Sequence, residues 1–215
     1  MASTPPVQII TLEIQAPFSF EAGQYLEVLH PDGTAIPLSI ASPPEQLPRL
    51  TLHYRSTAGV DAAARMDELL KQSELTLVGG AGDVVLEPSD RSSLLLVAGG
   101  TGISQALCLA IAQTLRHPGV QTELLACADE AGDLYFEDLL PETEAFTARL
   151  ISDSRRDARN AGLSWLRDRA QTLCKNTRVI LSGSPAFVYA ATDMLTDAGV
   201  GAGQLASDVY AWAPR

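Results

Sequence analysis

The sequence predicts an α+β chain of two units: a small N-terminal antiparallel β-barrel, then a C-terminal α/β open parallel sheet. Three observations carry this. The first 88 residues hold short, partly alternating, β-branched segments cut by proline and glycine. Beyond Asp90, continuous apolar runs alternate with helical segments, as in a parallel sheet covered on both faces. Two of those runs end in glycine turns that open a helix. The boundary falls near Pro88, giving units 1–88 and 89–215.

Each element has its own signal. Residues 7–15 (VQIITLEIQ) are rich in β-branched side chains and predict the first strand. Residues 24–30 (QYLEVLH) alternate and run into the turn Pro31-Asp32-Gly33. Residues 36–44 (IPLSIASPP) read as a strand with small polar residues, and 50–55 (LTLHYR) as another. Residues 62–72 (AAARMDELLKQ) predict one amphipathic helix. Residues 74–78 return to strand, and Gly79-Gly80-Ala81-Gly82 reads as a flexible turn. In the second unit, strands are predicted at 93–98, 121–128, 146–152, 178–181 and 209–212. Helices are predicted at 104–116, 163–173 and from about Pro185 to Ala198.

Composition bounds the function. Of 215 residues, 46% are hydrophobic and 19% charged, enough apolar surface for a core. Acidic residues outnumber basic ones 26 to 15, for a formal charge of −11. That argues against nucleic acid and against anionic membrane surfaces, both of which select Lys and Arg. Cys108, Cys127 and Cys174 include no C-x-x-C pair, so no metal site is expected, and reduced thiols in the cytoplasm are the simplest setting. No apolar run approaches the roughly 20 residues that span a bilayer, and no basic-then-apolar leader opens the chain.

The strongest local signal is residues 94–104, LLLVAGGTGIS. A buried strand enters a turn whose glycines let backbone approach a phosphate, and the following helix offers free N–H groups to an anion. It is neither a G-x-G-x-x-G fingerprint nor a P-loop with its lysine. A plain tight turn remains the alternative. Residues 182–188 (SGSPAFV) repeat the logic, with Pro185 at a helix start. Ligands of open sheets collect where such turns cluster.

Taken in order, F-x-A-G-Q-Y at 18–25, P-L-S-I-A-S at 37–42, the turn 99–104, S-G-S-P at 182–185 and a terminal aromatic segment resemble the ferredoxin–NADP reductase superfamily, in its NAD(P)H:flavin oxidoreductase branch. The resemblance covers about residues 14–212. It implies a flavin-binding barrel, an NAD(P)-binding domain, and hydride transfer from NAD(P)H to flavin N5 in the cleft between them. FAD, FMN or riboflavin would serve, held or as a diffusible substrate. Ser39 matches the serine facing the reactive flavin edge, and Pro37 matches as well. The family's arginine and aromatic are Ile36 and Leu38 here. Losing a charge-assisted phosphate contact of about 1.5–3 kcal/mol implies a loosely held flavin or a decayed site. His53, Tyr54 and Ser56 lie on the flavin-lining strand, His53 either bonding flavin or sitting satisfied on the barrel.

The resemblance also assigns Gly99, Gly100, Thr101 and Gly102 to the nicotinamide turn, with the Thr101 hydroxyl near the nicotinamide. Ser182 stands where the superfamily often has cysteine, Gly183 and Pro185 are kept in kind, and Tyr210 and Trp212 match aromatic positions near the flavin or serve as core. Asp129 suits a ribose diol and NADH, whereas Ser154, Arg155 and Arg156 resemble a 2′-phosphate grip and NADPH. The branch has a further strand before the one near Val7, so an exposed edge and pairing into a homodimer are expected, with a monomer as the other possibility. Two further readings stay open: a reductase component serving an oxygenase or other redox partner, and a non-catalytic flavin- or nucleotide-binding protein.

Overall fold

The computed structural model describes residues 6–57, 59–155 and 159–215. Strands β1 (Gln8–Glu13), β2 (Tyr25–Leu29), β3 (Ala35–Ser39), β4 (Arg49–Tyr54) and β5 (Thr76–Ala81) form two antiparallel sheets, with helix α1 (Asp61–Leu69) between β4 and β5. One sheet pairs β1 with β4, and the other has the order β3-β2-β5. An antiparallel bridge from Ile40 to Leu52 joins them. Alternation sets which residues face inward: Leu26 and Val28 on β2 and Leu50 and Leu52 on β4 are buried, while Glu27 and Thr51 between them are not fully so.

The second part holds β6 (Leu94–Gly99), α2 (Ile103–Arg116), β7 (Thr122–Ala128), β8 (Phe146–Ser152), α3 (Ala161–Ala170), β9 (Arg178–Ser182), α4 (Pro185–Asp197), β10 (Leu205–Ala206) and α5 (Val209–Trp212). Its five strands are parallel in the order β10-β9-β6-β7-β8. Strand order reverses between β6 and β9, which is the switch point where open sheets bind ligands. The apolar run of β6 is explained by burial on both faces. Leu94, Leu96 and Ala98 join a cluster with α2 and the antiparallel sheets, while Leu95 and Val97 join another with α3 and α4.

Helix α2 is the joint. Ten of its fourteen residues are buried, because one side packs on the parallel sheet and the other on the antiparallel strands. Its polar groups cross the same seam: Gln105 Nε2 donates to the Gly23 carbonyl at 2.6 Å, and Arg116 Nη1 donates to the Leu86 carbonyl at 2.7 Å. The Cys108 thiol donates to the Ser42 carbonyl, and burial pushes that thiol up to about 12. It therefore stays protonated.

Two expectations are corrected. Residues 209–212 form the single helical turn α5, and the last strand is Leu205–Ala206, parallel to β9. A four-residue apolar run does not tell strand from helix. Here Ser207 Oγ accepts from the Val209 N–H and starts the turn. Residues 79–82 are no free turn, since β5 continues to Ala81. The pairing of β5 with β2 slips between Tyr25 and Glu27, and Gly80 has φ +73°, so the glycines serve a bulge. A Cβ at Gly79 would fall on the Phe18 ring. The strand expected over 36–44 stops at Ser39, five residues early, ahead of a 3-10 turn at Pro44–Gln46; other boundaries differ by one to three residues.

Gly102 holds the strand ends of the switch point together. Its φ is ordinary, but a Cβ there would sit 2.5 Å from the Ser182 carbonyl oxygen and 2.6 Å from the Gly183 nitrogen. Gly102→Ala is expected to lower stability by about 1–3 kcal/mol, read from urea unfolding midpoints. An unchanged midpoint would show that the turn relaxes freely.

Candidate functional site

A cleft of about 770 Å³ opens at the carboxyl ends of β6 and β7, facing the antiparallel sheets. Such a volume lies in the range of small-molecule sites, roughly 300–1,000 Å³. One wall comes from Ile36 and Leu38 of β3 and from His53, Tyr54 and Arg55 at the end of β4. Val60, Ala62 and Ala63 extend it over the start of α1. The opposite wall is the turn Gly99-Gly100-Thr101, the end of β7 at Cys127, Ala128 and Asp129, and the start of α4 at Ser184, Ala186 and Phe187. Asp133, Arg155 and Asn160 close the polar end.

The sequence-assigned residues divide. Leu38, His53, Tyr54, Gly99, Gly100, Thr101 and Asp129 line this cleft. Ser39 sits at the end of β3 opposite Tyr25, and Pro37 is exposed opposite Glu27, both outside the lining. Ser56 Oγ donates to Asp67 of α1 at 2.6 Å. The same carboxylate takes the Tyr54 hydroxyl at 2.9 Å, so both groups brace α1. Gly102, Ser182 and Gly183 form the packed floor beneath the glycine turn, and Pro185 begins α4. The Ser182 hydroxyl is buried without a hydrogen-bond partner. Tyr210 bonds Thr192 at 2.7 Å, its ring lying 5.9 Å from Tyr189, and Trp212 is 63% exposed; neither lines the cleft. Arg156 lies outside the described residues.

Sequence reasoning missed one loop. Residues 131–140, between β7 and β8, reach back to the end of β4. Arg55 makes a forked ion pair with Asp133, its Nη2 lying 2.5 Å from Oδ1. Tyr135 bonds His53 Nδ1 at 2.9 Å, ring edge to face. These pairs span 78 and 82 residues. No local pattern announces such contacts; only the acidic run after β7 hints at a charged partner. Arg155 is likewise engaged, by Asp153, which the guanidinium holds well below the usual carboxylate range.

Electrostatics suits an uncharged, oxygen-bearing ligand face beside a polar end whose arginines are each paired with a carboxylate. His53 is 4% exposed, and burial pushes its imidazole down to about 4, so it is neutral at pH 7. The Cys127 thiol is pushed up to about 12 by burial and is no nucleophile. His53 Nε2 and Arg55 Nε are buried and unpartnered. A Cβ at Gly100, whose φ is +56°, would meet nothing within 4 Å, so the turn presents bare backbone to open space. Apolar wall, unpartnered buried nitrogens and open glycine turn together fit a planar ring system and a nucleotide. No group of three or more metal-ligating side chains occurs among the described residues, nor any helix long and apolar enough to cross a membrane.

No family model matches the chain. It is 28% identical over 226 residues to the reductase component 2 of a terephthalate 1,2-dioxygenase from Comamonas sp., covering 99% of this chain and 66% of that one. It is 33% identical over 161 residues to a probable flavin reductase of Vibrio harveyi, covering 64% of this chain and 66% of the relative. The chain thus spans just under two thirds of each relative's length. Among solved structures, the ferredoxin NADP+ reductase of Neisseria gonorrhoeae with bound FAD and NADP superposes with a TM-score of 0.78 at 17% identity, covering 95% of this chain and 92% of that one. The chain has the ferredoxin–NADP reductase-like fold, and its sequence relatives are named as flavin reductases and as reductase components of oxygenases.

Proposed function

We propose that the chain is an NAD(P)H-dependent flavin reductase-like oxidoreductase, with residues 1–88 holding the flavin and 89–215 the nicotinamide nucleotide. The observation that carries the reading is the cleft: an apolar wall with unpartnered buried nitrogens faces a glycine turn at the switch point of a parallel sheet. When bound, the two cofactors supply the chemistry, a hydride passing from the nicotinamide C4 to the flavin N5. The protein's work is juxtaposition and electrostatics. Ile36 and Leu38 offer apolar surface to the ring, and His53 offers a neutral imidazole. Gly99, Gly100 and Thr101 give backbone and hydroxyl to the nucleotide at the start of α2. Asp129 accepts from ribose hydroxyls and repels a 2′-phosphate, which favours NADH. Ser39, just beyond the cleft lining, serves the flavin edge. A redox partner protein then takes the electrons, in keeping with the relative named as a dioxygenase reductase component.

The test is oxidation of NADH and of NADPH, with and without FMN, FAD or riboflavin. Saturable, flavin-dependent oxidation preferring NADH is expected. Folded protein inert with every pair would overturn the reading and leave the non-catalytic one. Asp129→Asn is expected to narrow the NADH preference about tenfold, a change near 1.4 kcal/mol, measured as the ratio of kcat/KM values.

The buried imidazole also sets a pH limit. The unfolded chain binds a proton at His53 below about 6.5, whereas the folded chain does so only near 4. Stability is therefore lost as pH falls through that window, on the order of 2 kcal/mol from this group. His53→Phe is expected to lose less stability than wild type between pH 7 and 4.5 in urea titrations. Parallel losses would place the proton uptake elsewhere.

A further inference from the structure

The inference rests on the flavin reading and adds a residue to it. We propose that Tyr135 is a positioning residue: its hydroxyl donates to His53 Nδ1, fixing the imidazole so that its Nε2–H is offered to an oxygen acceptor of the bound flavin. The two side chains meet at 2.9 Å with rings inclined at 67°, 5.4 Å between centroids. A neutral imidazole has one donor and one acceptor nitrogen, and the partner of one fixes the role of the other. A phenol is a better proton donor than a neutral imidazole N–H, and an imidazole nitrogen is a better acceptor than a phenol oxygen. Tyr135 therefore donates, and burial, which raises its phenol, keeps the proton in place.

The proton of His53 is then on Nε2. That atom is buried and finds no partner, in a side chain 4% exposed that lines the cleft. Leaving a buried donor unmade is expensive, and such groups call for an explanation. A ligand oxygen supplies one. The charged neighbours do not compete for it: Arg55 is a donor itself, and Asp133 is committed to the Arg55 guanidinium. Tyr135 comes from the loop after β7 and His53 from β4, so the contact also lets one unit of the chain tune the ligand face of the other.

The test has two arms. In the flavin-free protein, 15N NMR of the imidazole, assigned with His53→Phe, reads the tautomer. Wild type is expected to show a pyrrole-type Nε2 and a pyridine-type Nδ1, and Tyr135→Phe a mixture of tautomers. A wild-type His53 with the proton on Nδ1 overturns the proposal. In the second arm, Kd is measured for riboflavin and FMN. Tyr135→Phe is expected to weaken binding about three- to tenfold in the wild-type background and not at all beside His53→Phe. An equal effect in both backgrounds reduces Tyr135 to packing and overturns the proposal. Weakening of both flavins places the acceptor on the ring, and weakening of FMN alone on the phosphate. Failure of wild type to bind any flavin overturns the functional reading, whereas the tautomer arm judges the positioning without flavin.

Discussion

Everything in this molecule hangs on the burial of α2 from both sides. A helix covered by a sheet on one face ordinarily shows water a polar stripe. Here ten of fourteen residues are removed from solvent, so the antiparallel sheets and the parallel sheet share one apolar cluster rather than meeting at a wet interface. Gln105, Cys108 and Arg116 satisfy the backbone carbonyls of Gly23, Ser42 and Leu86 that this burial would otherwise strand. The cleft inherits its shape from that joint, because the start of α2 is also the glycine turn.

The same joint explains why the cleft wall is precise at one end. Gly102 allows the turn after β6 to touch the backbone at the end of β9, so the strand order reverses without a gap. From the next strand, the loop 131–140 crosses to β4 and clamps it twice, through Asp133 and Tyr135. Two side chains at the end of β4, His53 and, just beyond it, Arg55, are held from across the seam by partners two residues apart. An apolar helix thus fixes the distance between the units, and a polar loop fixes the orientation of the groups that face the ligand.

Where the sequence resemblance leads one to expect an arginine the chain has Ile36, an apolar side chain that packs with the core and is only 4% exposed. The cation on this wall is instead Arg55, already paired with Asp133. For a chain with a charge of −11, this is a sparing use of positive charge: it is spent in the cleft and neutralised locally.

Much of the architecture was legible because the periodicities are strong. The run 94–98 had to be buried on both faces, and it is; the glycine turn had to open a helix, and it does. Leu38, His53, Thr101 and Asp129 were singled out one by one, as a departed motif position, a strand residue, a turn hydroxyl and an acid after a strand, and the structure brings them to one cleft. Residues 209–212 were misread because four apolar residues satisfy either period, and the Ser207 cap decides only once neighbours are in place. Arg55, Asp133 and Tyr135 were silent because contacts across some 80 residues leave no local trace. Ser56 was drawn away by Asp67, a competition between two hydrogen-bond partners that only packing resolves. The sequence by itself determined the elements and the turn chemistry, since both depend on neighbouring residues. The tertiary structure alone decided which donors end up without a partner, since that depends on what the rest of the chain brings to them.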